Sequence, residues 1–136
     1  MKNIILATHG NLSFEFKNTL ELIVGKTDNI ECFGMTKDKS SESGKKELGY
    51  LIESVDESNL IILTDLFGGS SANICMELLL QGHKFKLLTG LNLPMLLSLV
   101  TSDNDDISVN DLTNKIIDSA KSGVLMSIRP YRKGVS

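Results

Sequence analysis

Tryptophan is absent from the sequence, and two tyrosines and five phenylalanines bring the aromatic share to only 5% of 136 residues. Proteins that bind single-stranded nucleic acid stack bases on such rings, and here they are scarce. A basic surplus is missing too: 14 Lys and Arg stand against 17 Asp and Glu, a formal net charge of −3. Binding a phosphate backbone calls for the opposite sign, so the sequence argues for no nucleic acid partner. There are only two cysteines, Cys32 and Cys75, and no CxxC pair. One lies in a strand-like apolar pattern and the other in a helical one, which reads as two reduced core thiols in a cytoplasmic protein. Long apolar runs are lacking as well. Ile4–Ala7 is too short for a signal-peptide core. NLPMLLSLV, the most apolar stretch, is broken by Pro94 and stopped by Thr101-Ser102-Asp103, well short of a bilayer span.

What is present fits one globular domain. Hydrophobic residues make up 41% and charged residues 23%, ordinary values for a chain that buries a core. A single domain is expected over residues 1–130, with a tail at 131–136. Along it, apolar runs alternate with helical stripes. Lys2–Ala7 reads as a buried strand. Leu12, Phe16, Leu20 and Ile23 recur at helical spacing, with Gly25 as terminator. Asn29–Met35 is a weaker strand, and Lys39–Ser54 becomes amphipathic at Leu48, Leu51 and Ile52. Leu60–Thr64 is the clearest strand. Ser70–Leu80 is helical, Phe85–Thr89 a strand, and Pro94–Val100 a short helix with proline in its first turn. Leu112, Ile116, Ile117 and Ala120 mark a last helix ended by Gly123, and Val124–Ile128 a last strand. Alternating strands and helices imply an α/β fold with a mainly parallel sheet, helices on both faces and right-handed crossovers.

Two strand ends carry chemistry. KNIILATHG stops at His9 and Gly10. NLIILTDLFGGSSAN stops at Asp65, followed by Gly68, Gly69 and Ser70. If these strands are neighbours, their carboxyl ends meet at the crevice where parallel sheets bind ligands, and His9 faces Asp65 across it. Asp65 can hold the Nδ1–H of His9 and leave Nε2 free to attack. The N–H groups of Gly10, Asn11 and Leu12, at a helix start, suit a bound anion, and a phosphoryl group matches both features. Gly68 and Gly69 let backbone approach such a ligand, and Ser70 can donate a hydrogen bond to it or cap helix 71–80. Asp65 could instead serve an Asx turn or a helix cap, or bind a metal, but no further carboxylates stand beside it, so no metal is expected. GGS is neither GxGxxG nor a P-loop, because no Lys follows. His83, in the polar turn QGHKFK, has nothing acidic beside it and reads as a solvated loop residue.

ATHG after the first strand, TDLFGGSSAN after the third and LTGLNLPMLL after the fourth occur together, in order, over nearly the whole chain. In this combination the sequence resembles the IIA component of the mannose/fructose/sorbose class of the bacterial phosphoenolpyruvate-dependent sugar phosphotransferase system. The resemblance implies a doubly wound α/β domain. Its five-stranded sheet would have the order 2-1-3-4 plus an antiparallel C-terminal edge strand, here 124–128, exchanged within a homodimer. It also implies that His9 is phosphorylated at Nε2 by HPr and passes the group to IIB for sugar uptake, with the membrane met only indirectly through IIC and IID. Asp65 would orient His9, Ser70 would support it, and no cofactor would be needed. The sequence departs from the family pattern at Ser13, Glu15, Ser71 and Ser98, none of which is His9 or Asp65. The phosphotransfer subunit of a dihydroxyacetone kinase would use the same histidine, but the paired Gly68-Gly69 favours sugar transport. A non-catalytic regulatory module of the same fold is the other alternative. A receiver-type regulator needs an acidic pair where Thr8-His9 stands.

Overall fold

The expected alternation of strands and helices is found in a computed structural model that describes residues 1–126. In chain order its elements are β1 (Asn3–His9), α1 (Leu12–Val24), β2 (Ile30–Met35), α2 (Ser41–Glu53), one 3₁₀ turn (Glu57–Asn59), β3 (Leu60–Thr64), α3 (Ser70–Leu80), β4 (Lys86–Thr89), α4 (Leu93–Ser102) and α5 (Val109–Ser122). Among the described residues the sheet has four strands, all parallel, in the order β2-β1-β3-β4.

Strand side chains alternate between two cores. Ile4 and Leu6 of β1 and Ile61 and Leu63 of β3 pack with Leu20 of α1, Leu96 and Leu99 of α4, and Leu112 and Ile116 of α5. Ile5, Ala7, Leu60 and Ile62 point the other way, onto Leu48 and Ile52 of α2 and Ile74 and Leu78 of α3. Each such buried aliphatic side chain contributes about 1.5–3 kcal/mol of transfer free energy, so both faces of β1 and β3 are fixed by apolar burial. Cys32 borders the first core and Cys75 lies in the second, so the sheet separates the two free thiols. Burial pushes Cys32 up to about 11 and Cys75 up to about 12.

Helix starts follow local chemistry. Ser40 and Ser43 form a reciprocal capping box at α2. Asn92 Oδ1 accepts from Met95 N at 2.9 Å to cap α4, and Ser108 Oγ accepts from Asp111 N at 3.0 Å to cap α5. The last cap starts α5 at Val109, ahead of its apolar stripe.

Two expectations need correction. β1 runs to His9 rather than stopping at Ala7, because Thr8 and His9 pair with Gly34 and Met35 of β2. The fifth strand does not form over Val124–Met126, which carry no strand pairing and are 81%, 82% and 77% exposed. A strand exists only by pairing, and these residues meet no neighbouring strand within the described chain; the rest of the expected 124–128 segment, and the tail at 131–136, lie outside the described residues. No described helix is long and apolar enough to cross a membrane.

Candidate active site

β1 is followed in the sheet by β2 on one side and by β3 on the other, so the chain leaves the two central strands in opposite directions. This reversal opens a crevice at their carboxyl ends. β1 delivers His9 to it and β3 delivers Asp65, the residue directly after Thr64.

The two side chains meet there. His9 Nδ1 stands 2.9 Å from Asp65 Oδ2, and the backbone N–H of His9 donates to the same oxygen at 3.0 Å. An ionised carboxylate only accepts, so Nδ1 carries the proton and Nε2 keeps its lone pair. The His9 side chain is 49% exposed and that of Asp65 14%, which leaves the imidazole open to a large partner and the carboxylate behind it. Burial alone would raise the Asp65 carboxyl. The hydrogen bonds from the His9 backbone N–H and from its imidazole outweigh it and hold the group below the ordinary 3.8. Asp65 Oδ1 is buried and has no partner among the described residues.

The double glycine forms the next wall. Gly68 has φ +82°, a left-handed turn that other residues rarely adopt. It delivers Gly69 against the imidazole so closely that a Cβ there would lie 2.5 Å from His9 Cε1 and 3.2 Å from Nε2. Gly69 is also the N-cap of α3 and provides no side-chain cap. The first helical bond runs from Asn73 N to Gly69 O at 2.9 Å. The N–H groups of Ser70, Ser71 and Ala72 precede it and have no helical acceptor, which makes this helix start an anion-binding feature beside Nε2.

The remaining expected residues are placed as follows. Gly10 has φ +53° and turns the chain into α1, but its N–H donates to Met35 O at 3.0 Å. Because β1 is longer than expected, the sheet takes this amide. The N–H groups of Asn11 and Leu12 have no acceptor among the described residues. Asn11 is the N-cap of α1 without a side-chain bond. Ser70 is the first residue of α3, is exposed, and makes no side-chain hydrogen bond among the described residues. His83 has the acidic partner that local sequence does not display. Its Nδ1 meets Glu57 Oε1, and Glu57 Oε2 accepts from Lys84 N at 3.3 Å. This second pair precedes β3 and β4, at the opposite end of the sheet from His9, with Glu57 opening only the short 3₁₀ turn and no α-helix starting there. No group of three His, Cys, Asp or Glu side chains comes together among the described residues.

Comparison with known proteins leads to one family. The family model EIIA-man, described as PTS system fructose IIA component, matches residues 3–117. The chain belongs to this family of phosphotransferase-system IIA components. It is 30% identical over 114 residues to the sorbose-specific EIIA component of Lacticaseibacillus casei, covering 84% of this chain and 82% of that protein. It is 22% identical over 132 residues to the mannose-specific EIIAB component of Escherichia coli (strain K12), covering 96% of this chain but only 41% of that longer relative. The crystal structure of phosphotransferase system component EIIA from Streptococcus agalactiae superposes with a TM-score of 0.84 at 33% identity, over 93% of this chain and 97% of that one. Membership in the EIIA-man family agrees with the parallel α/β sheet and with the motifs at the ends of β1, β3 and β4.

Proposed function

We propose that this EIIA-man family member is a phosphohistidine carrier. His9 Nε2 takes a phosphoryl group from the phosphohistidine of HPr and hands it to IIB, which serves sugar uptake through the membrane subunits IIC and IID. The observation that carries this reading is the 2.9 Å contact of His9 Nδ1 with Asp65, which leaves Nε2 exposed beside the α3 start. In the forward step the P–N bond of the donor breaks and a bond from phosphorus to Nε2 forms. The donor imidazole leaves with the electron pair, and the Nδ1 proton of His9 stays on its hydrogen bond to Asp65. The imidazolium character that develops on His9 is offset by the carboxylate, and the phosphoryl oxygens by the Ser70, Ser71 and Ala72 N–H groups. Asn11, two residues after His9, and Ser70, directly after Gly69, line the same opening, with Gly68 and Gly69 as its wall. No metal or organic cofactor enters this chemistry, since donor and acceptor are both imidazole-class nucleophiles of similar leaving ability.

Exposed Leu12, Phe14, Leu66 and Phe67 lie on the first turn of α1 and in the β3–α3 loop. They offer apolar docking area around His9 for donor and acceptor proteins. A homodimer belongs to the same reading. Exposed Val124–Met126 and the outer edge of β4, unpaired among the described residues, are complementary needs. A cavity of 580 Å³ lined by Phe67, Met76, Leu87 and Ile117 lies beside that edge. We assign residues 1–130 to one cytoplasmic IIA domain.

The test is phosphorylation in a reconstituted chain of phosphoenolpyruvate, Enzyme I and HPr. Mass spectrometry should find one acid-labile, base-stable phosphoryl increment, absent in His9→Gln. Labelling that survives His9→Gln would place the acceptor elsewhere.

A further inference from the structure

Three hydroxyl side chains are buried beneath the His9 site: Thr8 and Ser13 are fully buried and Ser71 is 1% exposed. A buried hydroxyl is costly unless it is hydrogen-bonded, and all three are engaged. Thr8 Oγ1 accepts from Ser13 N at 2.7 Å, Ser13 Oγ donates to Phe33 O at 2.9 Å, and Ser71 Oγ donates to Thr8 O at 3.3 Å. These bonds tie the end of β1 to α1, β2 and α3, the four elements that frame His9. Ser13 and Ser71 are two of the positions at which the sequence departs from its family pattern, and the structure makes them parts of one network.

We infer that Ser71 is a positioning residue for His9: its hydroxyl fastens the first turn of α3 to the carbonyl directly upstream of the histidine. The inference rests on the phosphohistidine reading above. The Ser71 hydroxyl touches no reacting atom, being bonded to Thr8 O. It acts through Gly69, two residues earlier, whose backbone lies against Cε1 and Nε2. With Asp65 holding Nδ1 and Gly69 lying against the neighbouring Cε1–Nε2 edge, the ring is held by two groups, and Ser71 sets the distance of the second from β1. That distance also governs how near the unbonded α3 amides come to Nε2. Loss of the hydroxyl lets the α3 start drift from the ring, which weakens phosphoryl stabilisation but leaves the docking surface intact.

The experiment compares the full chain with Ser71→Ala and Ser71→Thr. Steady-state transfer from phosphorylated HPr is measured alongside nitrogen-15 NMR of the His9 imidazole in unphosphorylated protein. Ser71→Ala should lower kcat by roughly two- to tenfold, the factor one neutral hydrogen bond carries, with KM for the donor unchanged. Its His9 ring resonances should shift, and Ser71→Thr should restore both. A lower Tm with kcat and ring resonances unchanged would mean a purely structural serine and overturn the proposal. Should Ser71→Ala not fold, Ser71→Cys, close in size with a weak donor, carries the same comparison, and unchanged kcat and resonances there overturn it equally. The NMR arm needs no phosphoryl transfer. Wild-type protein that is never phosphorylated at His9 would sink the functional reading alone.

Discussion

Replacing Gly69 by alanine isolates the closest backbone approach at the site. Gly69 has φ −73° and ψ 167°, an extended conformation that alanine adopts freely, so the substitution adds no backbone strain. The whole effect comes from one methyl group. It would sit 2.5 Å from His9 Cε1, 3.2 Å from Nε2 and 3.2 Å from Leu66 O, whereas carbon atoms settle at about 3.5–4.0 Å. Something must therefore move by about 1 Å. The Leu66 carbonyl belongs to the turn closed by Gly69 N–H at 3.1 Å, and the mobile partner is the half-exposed imidazole. Swinging the ring away stretches its 2.9 Å bond to Asp65. A hydrogen bond to a charged group contributes about 1.5–3 kcal/mol, and about 1.4 kcal/mol corresponds to tenfold in rate. Phosphoryl transfer to Gly69→Ala should thus fall by about ten- to a hundredfold. Alanine is a poorer N-cap than glycine by only about 1 kcal/mol or less, so the variant should stay folded. Quenched-flow transfer from phosphorylated HPr, read by intact-protein mass, measures the rate, and circular dichroism verifies the fold. A folded Gly69→Ala that accepts phosphoryl at the wild-type rate would refute the idea that backbone contact orients the ring.

Asp65 predicts an acid response. Its folded carboxyl lies below the ordinary 3.8, so its contribution is complete above that value and is lost as pH falls through the lowered one. Chemical denaturation of wild type should therefore lose stability more steeply below about pH 4 than that of Asp65→Asn, and parallel acid limbs would contradict this. At the opposite end of the sheet, Lys2 Nζ and Asp103 Oδ1 lie 3.2 Å apart, each side chain only 6% exposed. Asp103→Ala strands that ammonium and should cost about 3–5 kcal/mol in urea unfolding while leaving phosphoryl transfer per folded molecule unchanged. His83→Gln should leave phosphorylation intact, since no α-helix starts beside its carboxylate partner; a lost mass increment would show that a His–carboxylate pair alone suffices.

Sequence patterning was most legible where burial is two-sided and local. Leu60–Thr64 and Ser70–Leu80 were delimited as they stand in the structure, because an unbroken apolar run and a helical stripe after two glycines have few other readings. His9 and Asp65 could be paired because one ends a strand and the other directly follows one, each leading into a glycine-containing turn. Other features carry no local signal. Glu57 finds His83 across 26 residues of chain, and nothing near QGHKFK reveals it. Ser13 and Ser71 look like surface serines, since a buried hydroxyl leaves no apolar periodicity. The Gly10 amide was misjudged by way of a strand boundary: two more residues of β1 pairing turned a free donor into a ladder bond. The fifth strand was read from the composition of residues 124–128, but composition provides no pairing partner for Val124–Met126.

The His9–Asp65 pair joins residues 56 positions apart in the chain, through two parallel strands that no hairpin can bring together. Until β1 and β3 zip side by side, the imidazole has no carboxylate to lean on. On the proposed function, competence to accept phosphoryl therefore doubles as an internal gauge of maturation: during refolding or synthesis it should switch on when β1 and β3 pair and stay silent in any compact precursor holding helices alone.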